Sequence, residues 1–413
     1  MKKNRAATAA AVCGALLITG CSSDFGSDSS AEQETSGKQK LTVMIGSSGD
    51  AETSAVKAAA AAWAKKTGNT VTVTPAQNLD QQLGQALAGG KPPDVFYVGS
   101  SVFANYAKGN SLYAYGDKLT DKEDFSATLR SSFSYEGKSY CAPKDSSTLS
   151  LAINTKMWKA AGLTDADHPK TWDDLAKVAK KLTTDKVSGL VVNSSYNQLG
   201  PFLKQAGGWI TNADQTEITA DSPENVEALT YVKKLLNDKV LTYPKQVDAG
   251  WGGEALGSQK AAMTIEGNWL SGAMTNDFPD VDYQVVPLPE GPKGQGTLSF
   301  STCWGIANKS SHHDAAVSLV EAFTTAEQQV KFADEYGVMP SRTSALATYA
   351  KQHPQDKAFV DGSAYAQGPV TLPGFTKVLE QFDTDLAGLA TADPEKILGD
   401  LQTNGEQILK NNG

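Results

Sequence analysis

The chain is short of the residues that most enzymes and metal proteins depend on. Its 413 residues contain four cysteines and four histidines. The histidines, His168, His312, His313 and His353, show no ligand spacing with an acid or a cysteine, so a metal centre finds no support. There is no G-x-S-x-G, H-E-x-x-H or Walker loop, and thus no recognised catalytic signature. Basic charge is also in deficit, with 37 Lys and Arg against 46 Asp and Glu. Such a surface is a poor partner for nucleic acid or anionic lipid. No cofactor is implied.

What is present begins at the N-terminus. Lys2, Lys3 and Arg5 precede an apolar run from Ala6 to Leu17, and Ile18-Thr19-Gly20 sets small residues before Cys21. The run is shorter than the roughly 20 residues needed to span a bilayer. The pattern resembles a bacterial lipoprotein signal, which implies cleavage after residue 20 and lipid attachment at Cys21. An ordinary secretory signal with an incidental Cys21 is the alternative. Residues 21–40 then form a tether: from Ser22 to Lys40 there is one aromatic and no branched aliphatic residue, too little to build a core. The first 20 residues hold three of the basic side chains, so the remainder carries 34 against 46 acidic ones. About 370 residues follow the tether, enough for two cores.

With Cys13 and Cys21 inside the signal, Cys141 and Cys303 remain. In an oxidising compartment a pair suggests a disulfide, and both lie in short extended segments, SYCAP and STCWGIA. Two buried free thiols are the other reading.

Alternating apolar runs predict a parallel α/β sheet after the tether. Strand Leu41 to Ile45 leads to a helix with Val56, Ala59, Ala60 and Trp63 on one face; strand Val71 to Val73 leads to a helix over Leu79 to Leu87, ended by Gly89-Gly90, and strand Asp94 to Val98 follows. Open sheets of this kind bind ligands at the carboxyl ends of their strands, here Gly46 to Asp50 and Gly99 to Ser101. A second series has strands at Leu149 to Ile153, Gly189 to Val192, Ala262 to Ile265, Tyr283 to Val286 and Thr302 to Ala307. A helix starts at Thr171, where Thr171 and Asp174 approximate a capping box. Further helices are expected at Asn225 to Leu236, Asp314 to Phe323, Ala326 to Tyr336, Lys377 to Leu389 and Pro394 to Leu409. Trp63, Trp158, Trp172 and Trp209 read as core or cap residues.

Several motifs in order resemble the extracellular solute-binding proteins of ABC importers, the sugar-binding group that includes maltodextrin-binding protein. They are Gly90-Lys91-Pro92-Pro93-Asp94-Val95, Tyr140-Cys141-Ala142-Pro143-Lys144-Asp145, Ile153-Asn154, Thr171-Trp172-Asp173-Asp174-Leu175, the run from Ala261 to Trp269, and Gly337-Val338-Met339-Pro340-Ser341-Arg342. The resemblance spans residues 41 to 413 and implies a two-lobed periplasmic-binding-protein-like fold with three hinge crossings, near Cys141 to Ser146, Leu298 to Trp304 and Val338 to Ser344. Lobe one would be 41–141 plus 304–340, and lobe two 142–303 plus 341–413. It further implies a monomer without enzymatic activity, partnered by a membrane permease and a cytosolic ATPase, that captures a carbohydrate between its lobes. Gly99-Ser100-Ser101 lacks the charged ligand of the maltodextrin branch, and Ser147 stands where that branch has an acid. A disaccharide or short oligosaccharide is therefore expected rather than maltodextrin.

A sugar site combines flat aromatic faces with hydrogen-bonding rims. Trp269 matches an aromatic stacking position of the family and is the leading candidate, against packing of its helix. Glu266 ends a strand and Asp145 lies in the first crossing, each a hydroxyl acceptor or a solvated acid. Trp304 is a cleft or hinge-core residue. Asn197 and Tyr196 are placed in a loop after the Gly189 to Val192 strand. Asp50 and Ser48, from the first strand-helix loop, and Ser101 would be lobe one's contribution, Asp50 doubling as a helix cap. Arg342 either forks two hydroxyls or pins the hinge. Two rival functions follow from the same residues: a glycoside hydrolase using Asp145 and Glu266, and a receptor for a polyol or charged metabolite using Arg342 and Lys144.

Overall fold

A computed structural model describes residues 37–412. The expected signal, Cys13, the expected lipid site Cys21 and the expected tether as far as residue 36 lie outside the described residues. Among those described, no helix is long and apolar enough to cross a membrane.

The first sheet runs Thr70–Pro75, Lys40–Ile45, Val95–Gly99, Thr302–Ile306, Ala142–Pro143 across its width. Its first three strands are parallel and its last two antiparallel to their neighbours, so the expected parallel sheet acquires an antiparallel edge. Helix Asp50–Thr67 packs on it because Val56, Ala59, Ala60 and Trp63 fall on one stripe, with Trp63 Nε1 donating to Ser318 Oγ at 3.1 Å. Asp50 and Glu52 suit its N-terminus, Lys65 and Lys66 its C-terminus, and Gly68 ends it at φ 78°, a conformation that favours glycine.

The second sheet is built on Ser147–Asn154, a strand buried along its whole length, which pairs antiparallel with Met263–Gly267, Tyr283–Val286 and Thr297–Phe300. Helix Trp172–Leu182 covers it, and its capping box between Thr171 and Asp174 is formed. Each sheet has its own core, one around Leu41, Val95, Phe103 and Trp304, the other around Leu151, Trp172, Phe202 and Ile265. Trp63, Trp158, Trp172 and Trp209 are all buried.

Two chain segments pass between the cores as an antiparallel pair. Cys303 faces Pro143, Lys144 N donates to Thr302 O at 2.7 Å, and Phe300 faces Ser147. A third contact adds Met339, whose carbonyl accepts from Ser146 N at 2.9 Å. Cys141 and Cys303 form a disulfide on the lobe-one side of this pair, their Cα atoms 5.7 Å apart. With a sequence separation of 162 residues, the link constrains the unfolded chain by about 5 kcal/mol in the entropic account.

Several local expectations change. Asn197 and Tyr196 lie on helix Tyr196–Gln205 rather than in a loop, because Asp383 accepts from Tyr196 N at 2.6 Å and fixes the first turn. Ser101 lies in the first turn of an unanticipated helix, Ser100–Lys108. Another helix, Thr343–Gln352, follows the Met339 contact and is held to lobe one by Ser344, whose Oγ donates to Asp124 at 2.6 Å. His313 is half-buried, its ring stacked on Tyr113 at 3.9 Å.

Candidate functional site between the lobes

Trp269 is 40% exposed, the one large apolar side chain among the described residues that is exposed rather than buried or half-buried. It begins helix Trp269–Asn276, immediately after the strand Met263–Gly267. One face of its ring lies over Gly267, where an added Cβ would come within 2.3 Å of it. A side chain there would evict the indole. The edge of Phe300, from the second crossing, meets the ring at 5.5 Å and 85°. Nε1 donates to Glu266 Oε2 at 3.0 Å. An aromatic plane is thus clamped from three sides and left open on one.

Glu266 is only 1% exposed. It reaches the site through Trp269 rather than through solvent. Burial pushes its carboxyl up to about 7, against the indole N–H and the N–H groups of Gly253 and Gly252, which favour the ionised form. Its Oε1 and the neighbouring Thr264 Oγ1 have no hydrogen-bond partner. Gly252 N in turn donates to Asn193 Oδ1 at 3.1 Å, which links this seat to the loop before helix Tyr196–Gln205.

The first crossing holds a buried ionic cluster. Lys144 Nζ lies 3.0 Å from Glu52 Oε1 and 2.6 Å from Asp145 Oδ2, and Tyr97 Oη donates to Glu52 Oε1 at 2.9 Å. The ammonium also stands 4.8 Å above the Tyr97 ring and 5.5 Å from that of Tyr336. Burial opposes both charges, yet the lysine is held well above its ordinary value by Asp145, the two tyrosines and Glu52. Glu52, despite burial, is held below its ordinary value by Lys144 and Ser48. Asp145 is accordingly occupied by Lys144 and by Thr302 N at 3.3 Å. Ser48 is exposed but spends its N–H and hydroxyl on Glu52 Oε2, at 2.7 and 2.8 Å. Asp50 is exposed at the start of its helix. Ser101 is exposed too, and its carbonyl accepts from Thr376 Oγ1 at 2.8 Å, a contact that reaches from the first lobe to the second.

Two candidates belong to the core instead. Trp304 is fully buried, its ring 4.6 Å from both Tyr97 and Phe323, so it offers no face to a ligand. Arg342 is 6% exposed and tied to the carbonyls of Thr324 and Asp121, to Asp124 at 3.6 Å and to the Phe125 ring at 4.3 Å. It pins the backbone. Two site residues escaped the sequence reading. Phe300 carried no signal beyond its place in a crossing, and Asp383, whose carboxyl burial pushes up to about 6, lies inside a helix pattern far along the chain. Asp383 also helps burial raise the Tyr196 phenol to about 12. Asn197 is half-buried one residue along the same helix. Hollows of about 120 Å³ beside Cys141 and Arg130 and about 640 Å³ beside Trp158 and Asp165 are lined by neither Trp269 nor Glu266.

Residues 46–330 match the family described as bacterial extracellular solute-binding proteins. The chain belongs to this family. This solute-binding protein is 25% identical over 284 residues to the diacetylchitobiose-binding protein DasA of Streptomyces coelicolor, covering 64% of each chain. It is 27% identical over 243 residues to the arabinooligosaccharide-binding protein of Bacillus subtilis, covering 55% of this chain and 54% of that one. Both matches span less than two thirds of the relatives' own length. Among solved structures, the ABC substrate-binding protein Lmo0181 of Listeria monocytogenes in complex with cycloalternan superposes with a TM-score of 0.78 at 25% identity, covering 90% of this chain and 99% of that one. The fold is two-lobed.

The ionic cluster generates a prediction. Glu52 contributes stability above the ordinary carboxylate range and loses it as pH falls through its lowered value, while Lys144 contributes until pH rises past its raised one. At neutral pH, Lys144→Met leaves buried carboxylates unpaired and should cost about 3–5 kcal/mol in denaturant unfolding. The loss should shrink as pH falls and the Glu52 carboxyl is protonated. An unchanged unfolding midpoint at pH 7 would show the cluster to be energetically idle.

Proposed function

We propose that this protein is the ligand-capturing subunit of an ABC importer for an uncharged carbohydrate, a disaccharide or short oligosaccharide, held outside the cell by lipid on Cys21. The observation that carries this reading is Trp269, the one large apolar side chain among the described residues that is exposed. A sugar ring offers the complementary flat apolar face, whereas an open-chain polyol does not. DasA, the Bacillus protein and Lmo0181 bind saccharides by their names and titles, which favours the same ligand class here.

The chemistry is binding alone. Lobe one, residues 41–141 plus 304–340, and lobe two, residues 142–303 plus 341–413, would hinge at the paired crossings, and ligand contacts made by both lobes would favour the closed form. The closed form docks on a permease served by a cytosolic ATPase, and the protein acts as a monomer. An anionic metabolite is disfavoured because both cations of the crossings are spent, Lys144 on Glu52 and Asp145, and Arg342 on carbonyls and Asp124. A hydrolase is disfavoured because Asp145 is bound to Lys144 and Glu266 sits behind the indole.

A thermal-shift screen against mono-, di- and oligosaccharides, sugar acids and polyols tests the class. A ligand at a hundred times its Kd adds about 2.7 kcal/mol to the folded state. Trp269→Ala should weaken calorimetric affinity for the hit at least about tenfold, roughly 1.4 kcal/mol. A shift with sugar acids and none with neutral sugars would overturn the ligand class. For the anchor, the wild-type chain should fractionate with membranes and Cys21→Ser should not; equal membrane retention would reject lipidation there.

A further inference from the structure

Glu266 stands where the strand Met263–Gly267, the helix Trp269–Asn276 and the helix Gly252–Gly257 meet. Its Oε2 takes the Trp269 N–H at 3.0 Å. Its Oε1, buried and without a hydrogen-bond partner, faces Gly252 so closely that an added Cβ there would stand 2.7 Å from it. The strand partner of Glu266 across the sheet is Ser150, whose Oγ is also buried and unpartnered. The seat is polar, closed, and built around one carboxyl group.

We propose that Glu266 is the positioning residue of the Trp269 platform: its carboxylate fixes the indole through the N–H, and the orientation of the ring follows the ionisation of that carboxyl. The inference rests on the reading of Trp269 as the stacking surface. An ionised carboxylate is the stronger acceptor for the indole N–H, and the nearby N–H groups of Gly252 and Gly253 favour that form. A protonated one must place its O–H against the indole N–H or turn it toward Thr264 Oγ1. Because burial raises this carboxyl to about 7, the change falls in the neutral range. Few other charges face it. Strand Met263–Gly267 and helix Trp269–Asn276 carry no other ionisable side chain, and strand Ser147–Asn154 presents Ser150. Helix Gly252–Gly257 brings Glu254, already taken by Gly250 N at 2.7 Å, and the loop beyond Val191 brings Asn193. Near Phe300, Asp145 is held by Lys144.

Sign follows from the raised value. The protonated carboxyl favours the folded state at low pH, and that contribution is lost as pH rises through about 7, just where the indole gains its charged acceptor. Folding stability is thus given up for a better-held platform.

The test uses the chain labelled with 5-fluorotryptophan and no ligand, so it reads the proposal whether or not a carbohydrate binds. The Trp269 signal is identified by its loss in Trp269→Phe. Between pH 5 and 9 it should move with a midpoint near 7 in the wild type and stay fixed in Glu266→Gln, which keeps an amide acceptor for the indole. A wild-type signal that does not move overturns the proposal without any variant at Glu266, and one that moves equally in Glu266→Gln assigns the titration elsewhere and overturns it too. A flat sugar screen beside a titrating Trp269 would remove the carbohydrate reading and leave the positioning role standing.

Discussion

A lysine with 6% of its side chain exposed must find its counter-charges inside the protein, and this molecule is arranged around that demand. Lys144 sits where the chain leaves the first sheet, Glu52 comes from the first helix, Asp145 from the crossing itself, and Tyr97 from the central parallel strand. Desolvating such charges costs several kcal/mol each unless the geometry repays it. Once it does, the start of helix Asp50–Thr67, the strand Val95–Gly99 and the hinge are bound into one unit. A second consequence concerns the ligand. The cation that lies at the mouth of the hinge is neutralised from within, so it has no charge left to offer an anion.

The crossings add stiffness of a different kind. Two antiparallel strands run from one sheet into the other, and the Cys141–Cys303 link fastens them on the lobe-one side. A hinge made this way bends about a defined line instead of flexing at random. Phe300, on the second of those strands, contacts Trp269, so the aromatic plane is anchored to the hinge as well as to its own helix. Contacts at the far rim, where Thr376 Oγ1 meets Ser101 O and Gly374 N meets Asn105 Oδ1 at 2.7 Å, join the same two lobes by protein groups alone. Ligand then has only the remaining free-energy difference between open and closed forms to supply.

What the sequence made legible was local or redundant. The stripe of Val56, Ala59, Ala60 and Trp63, the Thr171 capping box and the helix Ala326–Tyr336 depend on spacing within a turn or two, and they appear as expected. With two cysteines beyond the expected signal, a bridge was one of two readings of Cys141 and Cys303, and the structure forms it. Trp304 and Arg342 stayed open between cleft and hinge for one reason: position in a crossing says that a residue is near both lobes, but not toward which its side chain turns. Tyr97 and Phe323, far apart in sequence, decide that for Trp304. The helix at Tyr196 was hidden by its internal Pro201 and by a cap supplied from Asp383, nearly two hundred residues away. Glu266 was legible as an acid at a strand end. That it would be buried behind Trp269 required the closing of Gly252 over it.

The central claim is that a carbohydrate closes two lobes about these crossings. Spin labels at exposed Lys57 in the first lobe and exposed Lys180 in the second allow the inter-lobe distance to be measured by pulsed electron resonance, with and without saturating sugar from the screen. The account predicts that sugar narrows the distance distribution and moves it to one closed value. A distribution unchanged by a sugar that calorimetry shows to be bound would contradict it.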